Sequence, residues 1–297
     1  MTSRPLFRGA MTALVTPFDR EGKVHEEHLK RLIEFQIAGG VDAIVPCGTT
    51  GEASTLEYDE HFRVCELTVK FVNKRAKVII GGGSNNTRRA IELTRFSKEI
   101  GADAVLSVGP YYNKPTQEGH YRHFKAIAES TDIPIIIYNI PGRTGTNLLP
   151  ETLARLAEIK NIVGVKEASG SLKQMSDVIQ LCRPDFDVLS GDDIFTLALL
   201  AIGGKGVISV ISNVVPADMA EMVDVFAAGD LEKARALHYR MAPLIDVLFI
   251  ETNPIPVKAA LAMMGKIEYE LRLPLCRMSE KNEGTLKKVM QDYGLIG

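Results

Sequence analysis

The sequence predicts an α/β fold: a (β/α)8 barrel followed by a C-terminal helical appendage. Three observations predict it. Short, near-continuous apolar runs alternate with longer amphipathic stretches, and such runs are what parallel strands covered on both faces require. There are eight strand–helix units, the number that closes a barrel. The first strand leads into Thr16-Pro17-Phe18-Asp19 rather than a GxGxxG turn, so the usual mark of an open dinucleotide-binding sheet is missing.

The expected strands are Ala10–Thr16, Ala43–Pro46, Val78–Gly81, Ala104–Ser107, Ile135–Tyr138, Ile162–Lys166, Val188–Ser190 and Gly206–Val210. Between them, His28–Ile37 places Leu29, Leu32, Ile33, Gln36 and Ile37 near one stripe of a helix. Leu56–Phe71 opens with Glu57, Asp59 and Glu60, acids that suit the positive end of a helix. Ala90–Ile100 follows the capping candidates Asn85, Asn86 and Thr87. Ser171 can cap a helix carrying Met175, Val178, Ile179 and Cys182 on one side. After about Gly229 the strands stop, and three helices are expected near Asp230–Phe249, Pro254–Met264 and Ser279–Tyr293. The domain reading is therefore a barrel over 1–228, carrying the active site, and a helical domain over 229–297.

Composition narrows the function. In a chain of 297 residues with net charge −2, no basic field attracts nucleic acid or an anionic membrane. A small molecule and further copies of the chain are the expected partners. Cys47, Cys65, Cys182 and Cys276 show no CxxC spacing, which argues against a zinc ribbon or a disulfide framework and fits a reducing cytoplasm. No signal peptide is expected, because the first apolar stretch soon reaches Pro17 and Asp19. The apolar run Phe195 to Ile202 is far too short to span a bilayer.

Barrel chemistry sits beyond the C-terminal ends of strands, so the residues there are the candidates. Lys166 ends the sixth strand and Tyr138 ends the fifth. An amine and a phenol on adjacent parallel strands would share a cleft, which suits a Schiff-base nucleophile beside its proton carrier. The plainer reading is a lysine terminating a strand at the solvent boundary. After strand 2, Cys47-Gly48-Thr49-Thr50-Gly51-Glu52 offers backbone N–H groups and hydroxyls that can hold a carboxylate, or is an ordinary helix-capping turn. Tyr111 and Tyr112 sit on a Pro-bracketed loop, where interface packing is the alternative role. Arg143 follows the rigid Pro141-Gly142 pair and suits bidentate carboxylate recognition, against a plain surface arginine.

Other features are weaker. Gly203-Gly204-Lys205-Gly206 precedes strand 8 and so faces the wrong end for a phosphate loop. His25/His28 and His120/His123 are i,i+3 pairs of the kind usually found on surfaces, and no third metal ligand lies at a strand tip. Cys47 has no histidine placed to serve as its base, so a small buried thiol is expected.

Taken in order, Gly48-Thr49-Thr50-Gly51-Glu52, Tyr111-Tyr112, the Tyr138–Arg143 stretch and Lys166-Glu167-Ala168-Ser169 resemble the dihydrodipicolinate synthases, within the N-acetylneuraminate lyase family of pyruvate-dependent class I aldolases. The resemblance runs from about Gly9 to the C-terminus. It implies that Lys166 forms a Schiff base with pyruvate and that Tyr138, Thr50 and Tyr112 form a proton relay, Tyr112 reaching in from a neighbouring subunit. It further implies that Thr49 and Thr50 hold the pyruvate carboxylate and that Arg143 holds the carboxylate of L-aspartate semialdehyde. Gly191 and Ile208 match backbone-contact positions. The product would be 4-hydroxy-tetrahydrodipicolinate, on the route to diaminopimelate and lysine, made by a homotetramer built as a dimer of dimers. No metal, nicotinamide or flavin is required.

An N-acetylneuraminate lyase or keto-deoxy-sugar aldolase would keep the lysine and tyrosine, but Arg143 favours the synthase. A non-catalytic small-molecule-binding barrel would not need the full residue set. A metal-dependent class II aldolase would need histidines at the strand ends. The family's L-lysine feedback site is matched at Ser54, His61, Asn85 and Tyr111. It departs at Tyr58, where histidine is usual, and at Arg89, where glutamate is usual. A guanidinium in place of a carboxylate repels an ammonium, so L-lysine is expected to inhibit weakly or not at all.

Overall fold

The computed structural model describes residues 6–297; the first five residues of the expected barrel domain lie outside the described residues. Among the described residues, eight strands form one closed barrel in chain order. They are β1 (Gly9–Ala13), β2 (Ala43–Val45), β3 (Lys77–Gly81), β4 (Ala104–Val108), β5 (Ile135–Asn139), β6 (Ile162–Glu167), β7 (Asp187–Ser190) and β8 (Gly206–Ser209). The helices are α1 (Glu26–Ala38), α2 (Tyr58–Val72), α3 (Thr87–Glu99), α4 (Gln117–Glu129), α5 (Pro141–Thr144), α6 (Pro150–Ala157), α7 (Leu172–Leu181) and α8 (Thr196–Ala201). α9 (Pro216–Ala227), α10 (Leu231–Val247), α11 (Ile255–Met263) and α12 (Glu280–Tyr293) follow the last strand. No described helix is long and apolar enough to cross a membrane.

The expected elements are found with shifted ends. The clearest shift is in β1, which stops at Ala13 rather than Thr16. Leu14 still donates to Val45, but the Val15 N–H is taken by the Asn213 side chain at 3.1 Å, and Pro17 has no N–H to offer. Helix starts follow the capping residues. Asn86 caps α3 and Ser171 caps α7 through side-chain oxygens. Glu57 and Glu60 form a reciprocal capping box at α2, which is why that helix begins at Tyr58 and not at Leu56.

Packing divides the chain into two compact units. One comprises the described residues up to Gly9 with Lys77–Ile208. Its core stacks Ile135 and Ile137 of β5 and Val165 of β6 with Phe124 and Ile127 of α4, Leu153 and Leu156 of α6, and Met175 and Val178 of α7. Burying aliphatic side chains of this size yields about 1.5–3 kcal/mol each against exposure. The other unit comprises Ala10–Ala76 with Ser209–Gly297 and contains α1, α2 and α9 to α12. The division at 228/229 remains our proposal, resting on the change from strands to helices after β8.

One expectation is corrected here. His120 and His123 are buried side chains of α4, not surface residues. His120 pairs with Thr146 Oγ1 at 3.1 Å and His123 with Thr87 Oγ1 at 2.9 Å. Burial pushes both imidazoles down to about 4, so both are neutral at pH 7. The i,i+3 spacing read as a polar pair because sequence does not say which helix face turns inward.

Candidate active site

β5 and β6 pair in parallel with Tyr138 opposite Lys166. Successive side chains leave a strand on opposite faces, and the neighbours of this pair fix which way each one points. Glu167 points away from Lys166 into a buried polar cluster. Its carboxylate accepts from Asn139 Nδ2 at 3.0 and 3.2 Å, from the Ser169 N–H at 2.7 Å and from Gln174 Nε2 at 3.2 Å. Asn139 in turn donates to Asn147 Oδ1 and accepts from the Leu148 N–H. Burial raises the Glu167 carboxyl, and these hydrogen bonds offset part of that rise. The cluster anchors the ends of both strands and so fixes where Lys166 and Tyr138 stand.

Lys166 Nζ lies 4.2 Å from the centre of the Tyr138 ring. Only 5% of Lys166 and 7% of Tyr138 remain exposed. Burial is the main cause that brings the Lys166 ammonium down to about 8. Asp192 and Asp193 oppose the shift and Arg143 adds to it. Those two aspartates were not singled out from the sequence. Their signal was their place just after β7, in Ser190-Gly191-Asp192-Asp193. The Asp192 carboxyl is itself raised by burial and lowered by Lys166.

Gly191 has a steric reason. A Cβ there would stand 2.6 Å from Ala168 Cβ and 3.2 Å from Lys166 Cε, so a side chain would clash with Ala168 and crowd the lysine stem. Ile208, on β8, is fully buried. Arg143 lies exposed on the single turn α5, which begins at Pro141 and ends at Gly145 with φ +72°. Tyr111 and Tyr112 are both exposed, Tyr112 to 88%. Tyr112 also holds φ +72°, a left-handed conformation rarely adopted by a bulky residue. Asn113 Nδ2, donating to the Asn85 carbonyl at 2.9 Å, pins the loop beside it.

The second unit holds the Gly48–Glu52 loop. Cys47 (φ +53°) and Glu52 (φ +52°) bracket it in left-handed conformations. Thr49 is exposed and Thr50 is buried. A Cβ on Gly51 would meet Cys47 N at 3.0 Å and Leu14 O at 3.1 Å, while the Gly51 carbonyl accepts from Thr16 Oγ1 at 2.7 Å. Cys47 is the buried thiol expected. Its sulfur lies with donor atoms of His61 and Cys65 inside 4.8 Å. Burial raises the Cys65 thiol well above its ordinary range. Of the regulatory candidates, Ser54 and Tyr58 are exposed and His61 is buried in this unit. Asn85 and Arg89 are half-buried in the first unit, and Tyr111 of the same unit is exposed.

Residues 6–293 match the Dihydrodipicolinate synthetase family. The chain belongs to this family. The 4-hydroxy-tetrahydrodipicolinate synthase of Syntrophus aciditrophicus is 65% identical over 292 residues, covering 98% of this chain and 100% of that protein. That of Thermodesulfovibrio yellowstonii is 58% identical, with the same coverage. The crystal structure of dihydrodipicolinate synthase from Aquifex aeolicus superposes with a TM-score of 0.96 at 50% identity, covering 97% of this chain and 99% of that one. As a family member the chain has the barrel and the helical tail that its sequence predicts.

Proposed function

We infer that the chain is a cytoplasmic Schiff-base lyase that condenses pyruvate with L-aspartate semialdehyde to give 4-hydroxy-tetrahydrodipicolinate. The observation that carries the reading is a buried amine, Lys166, brought down to about 8 and 4.2 Å from a tyrosine ring. The neutral amine attacks the pyruvate carbonyl. Loss of water gives an iminium, which acts as an electron sink for the methyl carbon. Loss of a methyl proton gives the enamine, which forms the carbon–carbon bond to the aldehyde. The amine of the former aldehyde then adds to the iminium carbon, the former pyruvate carbonyl carbon, and the bond from that carbon to Lys166 Nζ breaks, which closes the ring and releases the lysine.

Tyr138 carries protons for the dehydration and aldol steps. By resemblance to the family, Thr50 and Tyr112 complete its relay, Thr49 and Thr50 hold the pyruvate carboxylate, Arg143 holds the aldehyde's carboxylate, and Gly191 and Ile208 offer backbone contacts. The reaction needs no cofactor. Exposed Arg143 next to a buried site is suited to binding a charged second substrate that arrives after the Schiff base has formed.

Borohydride reduction in the presence of pyruvate tests the reading. The expected adduct maps to the peptide containing Lys166, in the parent and in Arg143→Ala alike, while Arg143→Ala loses most of its use of the aldehyde. An adduct on another lysine would overturn the Schiff-base assignment.

A homo-oligomer in which Tyr112 serves a neighbouring site is part of the same reading. Exposure of 88% and a left-handed backbone, at a cost of roughly 1–3 kcal/mol, suit a side chain held out for a partner copy. Mixing inactive Tyr112→Phe and Lys166→Ala chains is expected to restore activity, since a mixed dimer carries one complete site. Proven subunit exchange without rescue would remove Tyr112 from that role.

A further inference from the structure

We propose that Asn253 is a positioning residue of the reaction, acting on Thr50. This rests on the reading of Thr50 as a relay hydroxyl. Asn253 lies in the link between α10 and α11, about 200 residues along the chain from Thr50. Its Nδ2 donates to Thr50 Oγ1 at 3.0 Å, and both side chains are buried, at 5% and 3% exposure.

A hydroxyl has one proton to give and two lone pairs to receive. An amide N–H can only donate, so Thr50 Oγ1 accepts from Asn253 and must send its own proton elsewhere. A hydroxyl free to rotate would spend much of its time pointing away from its relay partner. Asn253 removes that freedom by holding one lone pair, which leaves the proton directed and the second lone pair open to receive. That is the arrangement a group needs in order to pass a proton on in one motion.

The surrounding packing makes Asn253 rigid enough for the task. Ile255 N–H donates to the Thr252 carbonyl at 2.9 Å and closes the turn around Asn253. One turn into α11, Lys258 Nζ reaches Glu52 Oε1 at 2.6 Å. Asn253 and Lys258 therefore grip the loop at Thr50 and at Glu52, on either side of Gly51. Thr16 holds the Gly51 carbonyl between them. Two of these three ties hold the backbone and the neighbouring carboxylate, and Asn253 alone among them touches the Thr50 hydroxyl. Its loss should disturb the direction of that proton more than the shape of the loop.

A double-mutant cycle separates positioning from simple support. Asn253→Ala is expected to lower kcat by about tenfold to a hundredfold, in line with what small misplacements of catalytic groups cost. The extent of borohydride-trapped pyruvate should stay near the parent value. In the Thr50→Val background, which has no hydroxyl to orient, the same substitution should cost almost nothing further. Asn253→Asp, of nearly the same shape, places a second acceptor against Thr50 Oγ1 and should show the same pattern, and it serves where the alanine variant fails to fold. Equal kcat losses from Asn253 substitution with and without the Thr50 hydroxyl would overturn the proposal. So would a parent-like kcat in Asn253→Asp. If trapping at Lys166 itself fails in the parent, the fault lies in the functional reading and not in Asn253.

Discussion

Lys166→Met is expected to lose turnover by roughly a thousandfold or more and to gain stability at the same time. The activity half follows from covalent chemistry: methionine has a similar length and no nucleophile, so no iminium forms and the methyl group of pyruvate stays a poor carbon acid. The stability half follows from burial. Lys166 is 5% exposed and its ammonium titrates near 8 instead of its ordinary 10.5. The folded-state pKa is the lower one, so between about pH 8 and 10.5 the unfolded chain binds the extra proton. Stability therefore rises with pH through that window. At pH 7 the folded enzyme carries the whole penalty, on the order of 3 kcal/mol before relaxation. Methionine removes the charge and keeps the packing.

The same shift serves catalysis. At pH 8 a lysine at its ordinary pKa is neutral to about 0.3%, and one titrating near 8 is neutral to about half. The rate of borohydride-trapped Schiff-base formation should climb with pH and level off above about 8. Thermal unfolding of Lys166→Met at pH 7, set beside its turnover, decides the pair of claims. A melting temperature well below the parent's, or a Schiff-base rate that still climbs steeply at pH 10, would be incompatible with them.

Much of this site was legible because barrel chemistry is a matter of strand ends. Lys166 and Tyr138 are each the charged or polar tip of an apolar run, and the parallel register that places them opposite one another follows once the barrel is assumed. Gly191 was legible only through the family, yet its cause is the close approach of Ala168, with the lysine stem just beyond it. Asp192 and Asp193 were missed because acidic residues after a strand look like ordinary helix-start residues; only the fold reveals that they act on Lys166. Glu167 follows Lys166 in the strand-end motif, and the sequence assigns it no role. Strand alternation turns it away from the reacting face, where it holds Asn139, Ser169 and Gln174. Asn253 and Lys258 could not be found by spacing at all. Their partners lie some 200 positions away, and a polar residue in a helical tail carries no sign of what it touches.

The second large effect is expected at that distant contact. Lys258 and Glu52 form an ion pair whose side chains are both 0% exposed, with Nζ and Oε1 at 2.6 Å. The other carboxylate oxygen of Glu52 accepts from the Arg272 N–H at 3.1 Å, and Lys258 Nζ also lies 4.2 Å from the Phe18 ring centre. Burial nonetheless brings Lys258 down to about 8, against the pull of Glu52. The pair thus recovers only part of what taking two charges out of water costs, as is common for buried pairs. Removing one partner takes away that recovery and strands the other charge. Lys258→Met and Glu52→Gln are each expected to destabilise the protein by about 3–5 kcal/mol. The double variant, which leaves no unpaired charge, should lie much nearer the parent. Chemical unfolding of the four proteins at pH 7 measures the coupling directly. If each single variant falls within about 1 kcal/mol of the parent, or if the double loses the sum of both, the buried pair does not hold the Thr50 loop in the way its geometry implies.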